Sequence, residues 1–201
     1  MEELLKNALY LLVLINPVSK VAVLSALPGE PQFQQDLRSL TWRSSLVAAG
    51  ILFVAMLGGD FVLRSIFRVE IHSLQVAGGV VLFWVGFNAL RNGVFFEVGQ
   101  TARFEEVALV PLACPMIAGP ATISACITLR AGEGPIAATA AMLIAVGVNH
   151  LIMLLSRPIA RVLVRYDLLG AIVRLTGLIV MTIGTQMALE GVSTWRALPA
   201  H

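Results

Sequence analysis

The chain has 201 residues, 58% of them hydrophobic and only 13% charged, with a mean hydropathy of +0.86. Soluble domains run nearer to about 45–50% apolar and about 25% charged, so a chain this short cannot hide its apolar surface from water, and lipid is the expected solvent. Its net charge of +2 is small and scattered, and no basic stretch is interleaved with aromatics, which excludes a nucleic-acid surface.

Six apolar runs are long enough to cross a bilayer, which takes about 20 helical residues: 5–27, 44–66, 71–91, 107–129, 134–156 and 168–190. They are read as helices, because open strands leave backbone groups unsatisfied in hydrocarbon. The first follows an acidic start, MEELLKN, with no small-residue cleavage site, so it is expected to stay as a span rather than leave as a signal peptide. Pro17 lies halfway along it, removes an amide donor and strands the Val13 carbonyl. A polar, proline-punctuated linker, Pro28 to Arg43, leads to the second run, where Asp60 follows Gly58-Gly59 near one end and is expected at the wetted interface.

The third run carries Gly78-Gly79, Gly86 and Gly93. Glycines seven apart share one helix face and let a neighbouring helix approach closely. The linker from Asn92 to Glu106 then brings Glu97, Arg103, Glu105 and Glu106. In the fourth run Pro111, Pro115 and Pro120, with Gly119 before the last, remove three donors within ten residues, and a kink or unwinding is expected near 115–120. Cys114 and Cys126 read as buried small hydrophobes on this run, about 18 Å apart along a continuous helix. The fifth run contains Asn149-His150, a lone histidine read first as a satisfied residue of the bundle. The sixth contains Arg174 and a second glycine series, Gly177, Gly184 and Gly191.

These runs repeat at an offset of 98 residues. Asn16-Pro17 corresponds to Cys114-Pro115, and Gly79, Gly86 and Gly93 correspond to Gly177, Gly184 and Gly191. With glycine at about 7% of residues, three such coincidences would arise about a few times in ten thousand at a given offset. Duplication is the better account. Three spans per repeat is an odd number, so the second repeat must be inverted, as in many secondary transporters with interrupted helices. The expected fold is an all-α membrane protein, a single membrane domain over 1–201, with six transmembrane helices as two inverted three-helix repeats (about 1–94 and 107–192) and proline-broken first and fourth helices. Seven Lys and Arg lie in the linkers of one side (28–43, 91–106 and 157–167) against five on the other, which places both termini outside the cytoplasm.

Carbonyls freed at the breaks, and a half-helix beginning near Pro120, are suited to a cation or to the carboxylate of a zwitterion. The candidate substrate-binding residues are therefore Asn16, Pro17, Lys20, Pro115, Gly119, Pro120, Thr122 and Ser124. Lys20 is expected to meet an anionic group, to pair structurally with a carboxylate, or to snorkel to the interface. No convergent nucleophile, base or metal set appears, so neither an enzyme nor a cofactor is expected.

LINPVSKVAVLSAL, LQVAGGVVLFWVGFNAL, VPLACPMIAGPATIS and IVRLTGLIVMTIGTQMALEGV resemble the MarC family of bacterial inner-membrane proteins, over nearly the whole chain. Asn16 and Pro17 match the family's Asn-Pro-x-Gly-x-x-Pro, whereas Ser19 and Ala22 replace its glycine and second proline. Pro111, Leu112, Pro115, Ala118, Gly119 and Pro120 match its second pattern in full, and Ala121 stands where a glycine is common. The resemblance implies a multi-pass protein of the inner membrane, related to amino-acid exporters; the family is named for an association with multiple antibiotic resistance. The leading expectation is a secondary transporter of small neutral or zwitterionic solutes such as amino acids. Its partners would be the bilayer, a solute and a coupling ion. The alternative is a non-transporting envelope protein, a scaffold or sensor.

Overall fold

The structure, a computed structural model, describes residues 1–26, 33–66, 68–95, 113–114 and 116–197. Its elements are helices: α1 (Glu2–Ile15), α2 (Pro17–Ala26), α3 (Phe33–Phe61) ending in a π-turn (Val62–Ile66), α4 (Ile71–Asn92), α5 (Pro120–Glu133), α6 (Pro135–Leu154), α7 (Ser156–Arg165) and α8 (Leu169–Ala197). No strand occurs among the described residues.

Five stretches are long and apolar enough to cross a bilayer: Glu2–Leu24, Leu37–Ile66, Ile71–Asn92, Pro135–Leu154 and Leu169–Ala197. They fall on five of the six expected spans. The fourth, 107–129, is not among them. Its α-helical part among the described residues, α5, has 14 residues, about 21 Å at 1.5 Å each, short of the roughly 30 Å hydrocarbon core; residues 113–114 and 116–117 before it are π-helical. Residues 107–112, with Pro111, and Pro115 lie outside the described residues, as do parts of the two expected linkers, 28–32 and 96–106. The chain is thus an all-α, multi-spanning protein. Its exterior agrees: Val54, Val80, Trp84, Leu151, Leu175 and Leu189 stand 57–70% exposed, a pattern that water would penalise and lipid does not.

The tightest seam is between α4 and α8. A Cβ on Gly79 would lie 2.5 Å from the Gly184 carbonyl oxygen, and one on Gly86 would lie 2.5 Å from the Met181 nitrogen and 2.6 Å from the Gly177 carbonyl oxygen. At the end of the seam Gly191 faces the His72 carbonyl. Since 72 meets 191, 79 meets 184 and 86 meets 177, the two helices run antiparallel with their backbones touching. Gly79, Gly86, Gly177, Gly184 and Gly191 are therefore the packing face their spacing suggested, whereas Gly93 ends α4 as its left-handed cap (φ 72°) and is not part of the seam.

The remaining helices cover the first break. α1 packs along α6, α5 lies between α3, α4 and α6, and α2 rests on α7 and α6. Arg130 reaches from α5 to donate Nη1 to the Met56 carbonyl (2.9 Å) near the end of α3, a favourable place for a cation close to a helix C-terminus. Cys126 is buried, whereas Cys114, on the far side of the second break, is exposed. The fourth segment is not one continuous rod, so the two cysteines do not lie on one helix.

Candidate functional site

Both breaks form where proline removes a donor. At the first, Asn16 adopts the left-handed conformation (φ 57°, ψ 76°) and its amide closes α1 on the Leu12 carbonyl at 2.9 Å. Asparagine tolerates this region better than most residues. The same residue opens α2: Pro17 occupies its first turn, Oδ1 accepts from the Ser19 amide (3.4 Å), and the Asn16 carbonyl accepts from Ser19 Oγ (2.7 Å). A polar N-cap followed by proline is the pattern helices prefer at their start. Asn16 therefore ends one helix and begins the next.

At the second break, the Ala118 amide reaches back five residues to the Ala113 carbonyl (2.9 Å), Gly119 is extended (φ −83°, ψ 165°) and Pro120 begins α5. Gly119 provides no side-chain cap, so the first amides of α5 keep the partial positive charge of an unsatisfied helix start. Gly78 of α4 backs directly onto this turn; a Cβ there would lie 3.1 Å from the Ala121 nitrogen.

The two breaks meet. Lys20 is 1% exposed, and its Nζ donates to the Ile15 carbonyl, to the Asn16 carbonyl (3.4 Å) and across to the Met116 carbonyl (2.6 Å). Two of these, Ile15 and Met116, lose their usual helical donor at the breaks. In an unbroken helix Met116 would receive the amide of residue 120, which is proline and has none; Ile15 would receive the Ser19 amide, which turns to Asn16 instead (3.2 Å). One ammonium thus bridges the two interrupted segments. Lys20 does not snorkel.

Beside this junction lies a cavity lined by Asn16, Ser19, Gly119, Pro120, Ala121 and Thr122, with an apolar wall from Val81, Leu82 and Val85 of α4. The space open to the centre of a water molecule is about 50 Å³, room for roughly three to five waters at about 10–15 Å³ each. Of the sequence candidates, Asn16, Gly119, Pro120 and Thr122 reach this lining. Pro17 and Lys20 stand beside it, and Ser124 is fully buried elsewhere with an Oγ that finds no partner among the described residues. Pro115 lies outside the described residues. Sequence reasoning missed the lining role of Ser19, which had registered only as a replacement for a glycine, and the α4 wall, since aliphatic residues on a glycine-marked helix carry no polar signal.

Apolar outer faces, two helix breaks that meet and a small, mainly apolar cavity beside them describe a multi-pass membrane protein. Its sequence matches the profile of the MarC family of integral membrane proteins over residues 1–196, and the chain belongs to that family. Among its relatives, a UPF0056 membrane protein of Pyrococcus horikoshii is 35% identical over 191 residues, covering 95% of this chain and 94% of the relative. One of Aquifex aeolicus is 29% identical over 196 residues, with 92% and 90% covered. The UPF0056 inner membrane protein YhgN of Escherichia coli is 26% identical over 198 residues, with 97% and 98% covered. No solved structure matches the chain significantly.

Proposed function

We infer that the protein is a secondary transporter, not an enzyme, for small neutral or zwitterionic solutes such as amino acids, and that it works through two inverted three-helix halves. The observation that carries this reading is the cavity at the meeting of the two breaks. Asn16, Ser19, Thr122 and the uncapped start of α5 border it on one side; the rest of its lining is mainly aliphatic. A helix start in a low-dielectric setting favours a carboxylate, and the aliphatic wall suits a short side chain. The small volume favours solutes the size of the smallest amino acids. Support for the inverted repeat comes from the seam. An exchange of halves by 98 residues turns the Gly79–Gly184 contact into Gly177–Gly86, which is the other close contact observed.

In this reading the chain keeps the six crossings expected from its apolar runs, and α7 lies along the cytoplasmic surface of an inner membrane. Arg157, Arg161 and Arg165 recur on α7 at four-residue spacing, as expected of an interfacial helix facing anionic lipid. Both chain ends then lie outside the cytoplasm. A C-terminal alkaline phosphatase fusion is expected to be active and a GFP fusion dark; a bright GFP fusion would reverse the orientation or change the number of crossings.

Transport itself is tested with purified protein in liposomes and a panel of labelled neutral amino acids. Saturable flux of at least one small member is expected. A monodisperse, correctly folded preparation that moves none of them would leave the non-transporting scaffold as the better description.

A further inference from the structure

The chain holds twelve arginines but only two lysines. Lys6 is exposed and pairs with Glu2 at 2.8 Å and Glu3 at 3.1 Å. Lys20 is buried, and among the described residues it meets main-chain carbonyls and no carboxylate. A buried charge is costly unless polar groups replace its hydration. Here the replacement is a cluster of carbonyl oxygens from two separate chain segments. Ile15 and Asn16 close α1, so their carbonyls carry the negative end of its dipole. Convergent carbonyls of this kind also strip and replace the hydration shell of metal cations. The residue type fits as well. An ammonium directs three donors outward from one point, whereas a guanidinium is flat and fork-shaped.

We propose that the junction of the two breaks is a monovalent-cation site with a built-in occupant: Lys20 delivers a tethered ammonium to the carbonyls of Ile15, Asn16 and Met116, and a free ion of similar size, such as K⁺, takes its place when the side chain is shortened. The native protein then needs no dissolved cation to hold its breaks together. If it transports as proposed above, this junction is not where Na⁺ or K⁺ would couple to the solute; that consequence rests on the transport reading, while the site itself does not.

Thermal unfolding of the purified full-length protein in choline, sodium and potassium chloride at equal ionic strength tests this. Wild type is expected to melt at one temperature in all three salts. Lys20→Ala is expected to melt lower in choline and to recover, saturably, with potassium chloride or with n-propylammonium, which rebuilds the missing end of the side chain. Lys20→Met, which keeps the length but fills the space, is expected to melt lower and to show no recovery. Lys20→Arg is expected to resemble Lys20→Met. An alanine variant indifferent to both cations overturns the proposal, as does equal recovery of the methionine variant. If Lys20→Ala does not fold, the wild-type arm still decides, because a potassium-dependent rise in wild type would mean that the site is not already filled. Absence of amino-acid flux in liposomes would sink the transport reading and leave this titration unaffected.

Discussion

Gly86→Leu is expected to prevent α4 and α8 from closing. The added Cβ would meet the Met181 nitrogen at 2.5 Å and the Gly177 carbonyl at 2.6 Å. Both are backbone atoms that cannot swing aside, so the helices must separate along the seam. Overpacking typically costs about 1–3 kcal/mol; this case should reach at least the top of that range. In lipid no hydrophobic drive compensates, because association rests on close van der Waals contact. The protein should lose its monodisperse peak in detergent, or melt many degrees lower. Gly147→Leu is the control. Gly147 is also helical, on α6, but a Cβ there meets nothing within 4 Å, and leaving glycine gains up to about 1 kcal/mol of helix propensity. Equal damage from both substitutions would remove the seam from the account of the fold.

Substitution of Asn16 should separate structure from transport. Asn16→Ala loses the side chain and strains a left-handed residue, at about 1–2 kcal/mol, and also removes a cap worth about 1 kcal/mol. It is expected to insert into the membrane but to lose flux. Asn16→Gly is the sharper probe. Glycine holds φ 57° without penalty and costs only a few tenths of a kcal/mol as a cap. The glycine variant should therefore melt close to wild type while flux falls at least about tenfold, as loss of one hydrogen bond to a charged solute group, about 1.5–3 kcal/mol, would require. A glycine variant with wild-type flux would take the Asn16 side chain out of the site.

The two substitutions draw on different kinds of legibility. The glycine seam could be read directly, because a seven-residue spacing puts small residues on one helix face whatever surrounds it. Asn16-Pro17 and Gly119-Pro120 could be read as breaks for the same reason: a missing amide donor is a local fact. Lys20 could not. Its spacing from Pro17 fits a snorkelling side chain as well as an inward one, and its partner Met116 is 96 residues away. Cys114 was misjudged similarly, because a buried reading assumes a continuous helix and the break exposes it.

Composition, periodicity and the positions of proline and glycine determined the solvent, the helical class, the places where the chain breaks and the face on which α4 meets α8. All of these follow from each residue's own backbone chemistry and the period of one helix. Only the tertiary structure decided which break meets which, which carbonyls share the Lys20 ammonium, and which residues wall the cavity. Those outcomes depend on the relative placement of segments about a hundred residues apart, a placement set by close backbone contact and by the need to satisfy every buried polar group where no water can do so.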